Sequence, residues 1–365
     1  MIWSSIPKGK LALCIIGAGF PIAVLKNSPP STKNILQKAA KETPDSYPII
    51  TEIIRNNPHL TLNKLWSDIY KFSVSVSYAY PTIYKHYMST ESNMKKFFKE
   101  LSRDGRSFID ILWLGLGLEL KKAVSQFYNM TNKDNFEYSK INNFRNIFEK
   151  FDKRFWVSLN YDLVLEEAIM KILSLDLFND TTEQVRYLNE EFLNNLIFTP
   201  KCTSKDVIIK PHGSINLSFE TDWSISSHVL RFIDQKDYLK AFDHNKIGYE
   251  IRSGSRHESR PSIIGYVPDD FKDELNSKSY FSDIAHDFCK LQMSSMIFPM
   301  NQADCIFIFG YSMPKEDAWI WKRIKDIQNK TKQIIICSHA DSNRIEEEIN
   351  LFGFDKTNVL NDGNI

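Results

Sequence analysis

Five short apolar runs, rich in β-branched and aromatic residues, punctuate the chain at residues 11–16, 155–159, 207–209, 305–309 and 334–337. Each is nearly continuous in hydrophobicity rather than alternating, which is the pattern of a strand covered on both faces. Between the runs the apolar period lengthens to three or four residues. Leu165, Ala168, Ile169, Ile172 and Leu173 form one helical stripe, with Glu166 and Glu167 near its amino end, where the helix dipole favours carboxylates. After the fourth run Pro314 suits a first helical turn, and Ala318, Trp319, Ile320 and Ile324 continue the helix. This alternation predicts an α/β fold, a Rossmann-like parallel sheet with helices on both faces.

The first two runs stand much further apart than one crossover needs. Residues 32–150 contain three glycines, Gly105, Gly115 and Gly117. Helical spacing recurs there at Leu62, Leu65, Trp66, Ile69 and Phe72 behind a Thr61 cap, and again over residues 108–127. The expected organisation is a sheet domain of residues 1–31 and 151–365 with a large inserted helical subdomain at 32–150. Two polar stretches, 219–268 and 276–282, read as loops beside the site. The first carries Arg252, Arg256, His257 and Arg260 around Gly254.

Composition narrows the picture. The 365 residues carry 46 Lys and Arg against 45 Asp and Glu, a formal net charge of +1, so no whole-molecule field draws in nucleic acid or an anionic membrane. Five cysteines, Cys14, Cys202, Cys289, Cys305 and Cys337, are widely spaced and mostly sit in apolar runs, as for reduced core thiols of a cytoplasmic protein. No pair has the spacing of a structural zinc site, and no metal is expected. The apolar run at 11–25 behind Lys8 and Lys10 has the outline of a signal peptide. Gly17, Gly19 and Pro21 interrupt it, however, and no small-residue cleavage site follows. Neither export nor a membrane span is expected.

The candidate chemistry lies just after the strands, at the positions that share the carboxyl edge of a parallel sheet, where ligands bind. Gly17, Ala18, Gly19 and Phe20 follow the first run. A turn of this composition lets backbone approach a pyrophosphate at a helix start, although Ile22 stands where a full dinucleotide fingerprint has its third glycine. Asn160 and Asp162 follow the second run, where a turn and a helix cap offer the plainer reading. His212, Gly213 and Ser214 follow the third, with the imidazole held between a proline and a glycine. Gly310 and Ser312 follow the fourth, and Ser338 and Asp341 the fifth; each pair supplies donors and acceptors suited to a ribose or phosphate.

The ordered series Gly17-Ala18-Gly19-Phe20, Asn160-Tyr161-Asp162, His212-Gly213-Ser214 and Gly310-Tyr311-Ser312 resembles the sirtuin (silent information regulator 2)-like superfamily. It looks most like the bacterial branch that destroys NAD in antiphage defence. The resemblance implies that Gly17, Ala18 and Gly19 cradle the NAD pyrophosphate, and that Asn160 and Asp162 hold the nicotinamide end and its ribose. It further implies that His212 acts on ribose hydroxyls and that Gly310 and Ser312 approach the adenosine side. Pro21 departs from the serine frequent in that family, Leu159 replaces the glutamine that commonly precedes the asparagine in deacylases, and the deacylases' four-cysteine zinc module is absent.

The expected activity is NAD glycohydrolysis, with NAD as substrate, no metal, and Asn160, Asp162 and His212 as the catalytic set. Two alternatives stay open: an NAD- or ADP-ribose-binding regulatory module without turnover, and an NAD-dependent protein deacylase. The resemblance also implies gating, by homo-oligomerisation or by a sensor partner such as a HerA-like ATPase or a nucleotide-binding subunit.

Overall fold

The computed structural model describes residues 6, 8–31, 34–62, 64, 65, 68, 108–128, 133–174, 185–187, 205–222, 227–232, 250, 251, 257–261, 288, 290–314, 317–337 and 342–360. In chain order the elements begin with β1 (Gly9–Ile16), α1 (Gly19–Val24), α2 (Ile35–Glu42), α3 (Pro48–Asn56), α4 (Phe108–Tyr128), α5 (Asn142–Lys150), β2 (Phe151–Ser158) and α6 (Val164–Ile172). Strands β3 (Val185–Tyr187), β4 (Asp206–Ile209), β5 (Leu217–Asp222), β6 (Ser227–Phe232), β7 (Glu250–Ile251) and β8 (His257–Pro261) follow. The chain then forms α7 (Ile297–Gln302), β9 (Cys305–Phe309), α8 (Ala318–Lys325), β10 (Gln333–Cys337), α9 (Ser342–Asn350) and β11 (Lys356–Leu360).

Two compact units emerge. The first comprises Met1–Pro29, Asn132–Pro211 and Lys290–Ile365, and the second Pro30–Thr131 and His212–Cys289. The first holds a seven-stranded sheet in the order β11-β10-β9-β1-β2-β4-β3, parallel at every pairing. All five strands read from the apolar runs are present and adjacent, and the short outer strands β3 and β11 extend them. Setting β3 aside and counting the rest in chain order, the arrangement is 3-2-1-4-5-6, the order of a Rossmann-like α/β fold. The continuous apolar runs are explained by burial. Residues 11–16, 305–309 and 334–337 are buried without alternation.

Helix α5 belongs with this sheet although the sequence boundaries put it in the insert. Its Phe144 stacks on Phe20 at 5.1 Å, meets Phe309 edge-on at 4.8 Å and lies 5.6 Å from Trp156. An amphipathic helix has to bury its apolar stripe somewhere, and here the sheet receives it. Residues 212–289, read as part of the sheet domain, cluster with the second unit instead. At the start of β2 and β4, Arg154 makes a two-pronged pair with Asp206, Nε to Oδ1 at 2.6 Å and Nη2 to Oδ2 at 2.7 Å. Trp156 Nε1 donates to the same carboxylate at 2.8 Å, and all three residues are buried. Every oxygen of that buried charge thus has a donor, which is the condition for tolerating it in a core.

Within the second unit α2, α3 and α4 associate; α4 lies on the helical spacing of residues 108–127, whereas α2 and α3 fall where no helix was read, and Thr61 Oγ1 accepts from Lys64 N as a cap. The Glu119 carboxylate of α4 accepts from the Ile49 and Ile50 amides at 2.9 and 2.8 Å, satisfying two orphan donors at the start of α3. The polar stretch 219–268, read as loop, carries strands. Within an antiparallel sheet of order β6-β5-β8-β7, β5 pairs with both β6 and β8. In β5 and β6 apolar residues such as Phe219, Val229 and Leu230 are interspersed with polar and charged ones, so no continuous apolar run marks these strands, and the backbone ladder supplies the pairing. The stretch 276–282 lies outside the described residues. No described helix is long and apolar enough to cross a membrane.

Candidate functional site

In an open parallel sheet the ligand crevice opens at the carboxyl edge where the strand order reverses direction. Here the chain builds outward from β1 through β2 and β4, then returns to the other side of β1 with β9, so the reversal falls between β1 and β9. Both strands end in glycine turns, and the two turns interlock. Gly17 N donates to Phe309 O at 2.9 Å and Gly19 N to Gly310 O at 2.8 Å, while Gly310 N donates to Cys337 O at 2.8 Å.

This interlock explains the glycines. A Cβ on Gly17 would stand 2.6 Å from Tyr311 Cα, and one on Gly19 2.9 Å from Gly310 Cα. Gly310 has φ +53°, and a Cβ there would lie 2.5 Å from Phe20 N. The space is therefore taken by neighbouring backbone, and two of the turn's amides are already engaged. Phe20 N also donates, at 3.0 Å, to Gly17 O. The Phe20 side chain is fully buried in the aromatic cluster with Phe144, so this residue serves the core rather than the edge. Ala18 and Gly19 are partly exposed.

Asn160 is brought to the glycine turn: its Nδ2 donates to Gly17 O at 2.9 Å. Asp162 is two residues further on. Its Oδ1 accepts from Val164 N at 2.9 Å, closing a side-chain turn that leads into α6. Asn160 and Asp162 are both buried, 4% and 3% exposed. Burial raises the Asp162 carboxyl to about 6. The Lys210 charge and the Val164 amide oppose that rise, and Glu166 adds to it. A buried carboxyl titrating near neutrality can hold or release a proton under ordinary conditions.

Sequence reading missed the residues that hold this turn. Lys210, fully buried at the exit of β4, donates from Nζ to Asp162 O at 2.6 Å and to Glu166 Oε1 at 2.9 Å. Its own amide donates to Gln292 Oε1 at 2.9 Å. Glu166, read as a dipole partner, is a buried ion-pair partner, 1% exposed. Lys210 precedes Pro211 and His212 in sequence, but nothing local announces a partner 44 residues away.

Around β9, Ser312 is exposed and its carbonyl accepts from Arg344 Nη2 of α9, a second residue the sequence did not single out. Met313, next in the chain, has φ +53°, and Asp317 N closes a turn on Pro314 O ahead of α8. Pro314 therefore precedes the helix rather than opening it. Tyr311 OH donates to Asp317 Oδ2 at 2.8 Å, anchoring the turn from its buried side. His212, Gly213 and Ser214 fall in the second unit. His212 and Ser214 are buried, Gly213 has φ +79°, and Ser214 O accepts from Leu217 N. Ser338 and Asp341 lie outside the described residues. The sequence matches no protein-family model, and no curated protein matches it either.

Proposed function

We propose that the chain is an NAD glycohydrolase that breaks the bond between nicotinamide and ribose, giving nicotinamide and ADP-ribose. The supporting observation is the coincidence of three features at one sheet edge. The order reversal between β1 and β9, the paired glycine turns, and Asn160 bonded to Gly17 next to a buried, near-neutral Asp162 all lie there. The motif order that resembles sirtuin-like enzymes agrees with it.

Nicotinamide leaves as a neutral group, so the barrier lies in positive charge developing at the anomeric carbon. Asp162, once ionised, stabilises that charge or orders the attacking water, and Asn160 orients the nicotinamide end. His212 accepts the proton from the water or a ribose hydroxyl. Gly310 and Ser312 receive the adenosine side. In this reading helices α2, α3 and α4 take up a second copy or a sensor partner, which holds the cytoplasmic enzyme off until it is needed.

Chromatography of NAD incubated with the protein, alone and mixed with the products of its genomic neighbours, tests the reading. Nicotinamide should form, and Asn160→Ala and His212→Ala should each slow its release by about 10²-fold or more. Because Asp162 acts as the carboxylate, the rate should fall as pH drops through about 6. Saturable NAD binding without product would support a regulatory module instead.

A further inference from the structure

We propose that Lys210 is the positioning residue of this site, its buried ammonium fixing the turn that carries Asn160 and Asp162 against the first turn of α6. The inference rests on the functional reading above and adds to it a role for Lys210, which stands two residues before His212 and to which the sequence assigned none.

Three observations converge on Lys210. First, the side chain is fully buried, an arrangement tolerated only when the charge is matched, and Glu166 Oε1 at 2.9 Å matches it. Second, the other bond goes to the main chain of the site: Lys210 Nζ donates to Asp162 O at 2.6 Å. A bond to a backbone carbonyl constrains the path of the turn, and so the direction in which both flanking side chains leave it. Third, Lys210 sits at the exit of β4 and Asp162 four residues beyond the end of β2, so one side chain joins the exits of two adjacent strands. Gln292 Oε1 fixes the Lys210 main chain in turn.

The same cation faces the Asp162 carboxyl. The charged groups acting on that carboxyl are Lys210 from the β4 exit, which favours the ionised form, and Glu166 from α6, which disfavours it. Lys210 has the larger effect of the two. Lys210 therefore both holds the turn and keeps its carboxylate more acidic than burial alone would leave it. A purely structural ion pair would do neither of these things to the reaction.

The test uses two variants of the full chain. Lys210→Met alone strands the Glu166 charge in the core and threatens folding. The double variant Lys210→Met/Glu166→Gln removes both charges, and Glu166→Gln alone retains the Lys210 bond to Asp162 O. Three readouts apply: kcat and KM for nicotinamide release, the pH dependence of kcat, and titration of the Asp162 carboxyl by carbon NMR, which needs no turnover. The double variant should lose about 10- to 100-fold in kcat with KM little changed, as for a misplaced catalytic group. Its acid limb and its Asp162 titration should move up by about one pH unit, because the larger, favourable charge is gone. Glu166→Gln should move both downward. If folded variants leave kcat and both titrations at wild-type values while the wild type releases nicotinamide, Lys210 has no positioning role. If the wild type releases none, the functional reading falls and carries this proposal with it, even where the titrations shift.

Discussion

Gly310→Ala is the sharpest test of how the carboxyl edge is built. Two costs add at this position. An alanine at φ +53° occupies the left-handed region, at about 1–2 kcal/mol. Its Cβ would also lie 2.5 Å from Phe20 N, 2.6 Å from Gly19 C and 2.8 Å from Gly19 Cα. Those are main-chain atoms of a turn held by the Gly19 N to Gly310 O bond, so no side chain can swing aside. Reaching ordinary contact requires the two turns to part by several tenths of an ångström. Overpacking of that kind costs about 1–3 kcal/mol, for a total of about 2–5 kcal/mol. Gly353 supplies the control: its φ is +81°, but nothing lies within 4 Å of a Cβ built there, so Gly353→Ala carries the conformational cost alone, about 1–2 kcal/mol. Equilibrium urea unfolding of the three proteins, compared through midpoints at a common slope, measures both values. Equal destabilisation by the two substitutions would show that the turns are not packed backbone to backbone, and the interlocked edge would have to be abandoned.

Two other substitutions probe buried charge. Lys121 of α4 is 1% exposed, its Nζ has no hydrogen-bond partner among the described residues, and burial lowers its amine to about 7. The folded amine thus binds its proton more weakly than the unfolded one, so stability should rise with pH between about 7 and 10.5. Lys121→Met should flatten that rise and add about 4–5 kcal/mol near pH 7, read by urea unfolding across the pH series; an unchanged pH profile would refute it. Asp206→Asn leaves the Arg154 guanidinium buried without its matching charge and should cost about 3–5 kcal/mol, whereas replacing both residues by apolar ones of similar size should cost far less. Thermal unfolding of the single and double variants distinguishes a compensated pair from a net stabiliser.

The central strands and their order along the chain were legible because burial on both faces leaves a continuous apolar run, a signal that needs no partner to be read. Helices α6 and α8 followed from their period, and the carboxyl-edge position of Gly17, Asn160 and Gly310 from what stands just after each strand. Strands β5 to β8 were invisible for the converse reason, since none carries a continuous apolar run and their pairing is written in backbone hydrogen bonds that every sequence can make.

Sequence alone therefore determined the five central strands of the sheet and which small and polar residues end them. Which residues would meet was decided only in three dimensions. Gly17 and Gly19 looked like room for a ligand and are room for the backbone of residues 310 and 311; Phe20 looked like part of a binding turn and stacks in the core. Glu166 looked like a partner of the helix dipole, yet it is the buried ion-pair partner of Lys210. The physical reason is common to all three cases. Local pattern reports how much of a residue is hidden, whereas steric fit and charge compensation depend on a partner far away along the chain, 44 residues off for Lys210 and Glu166.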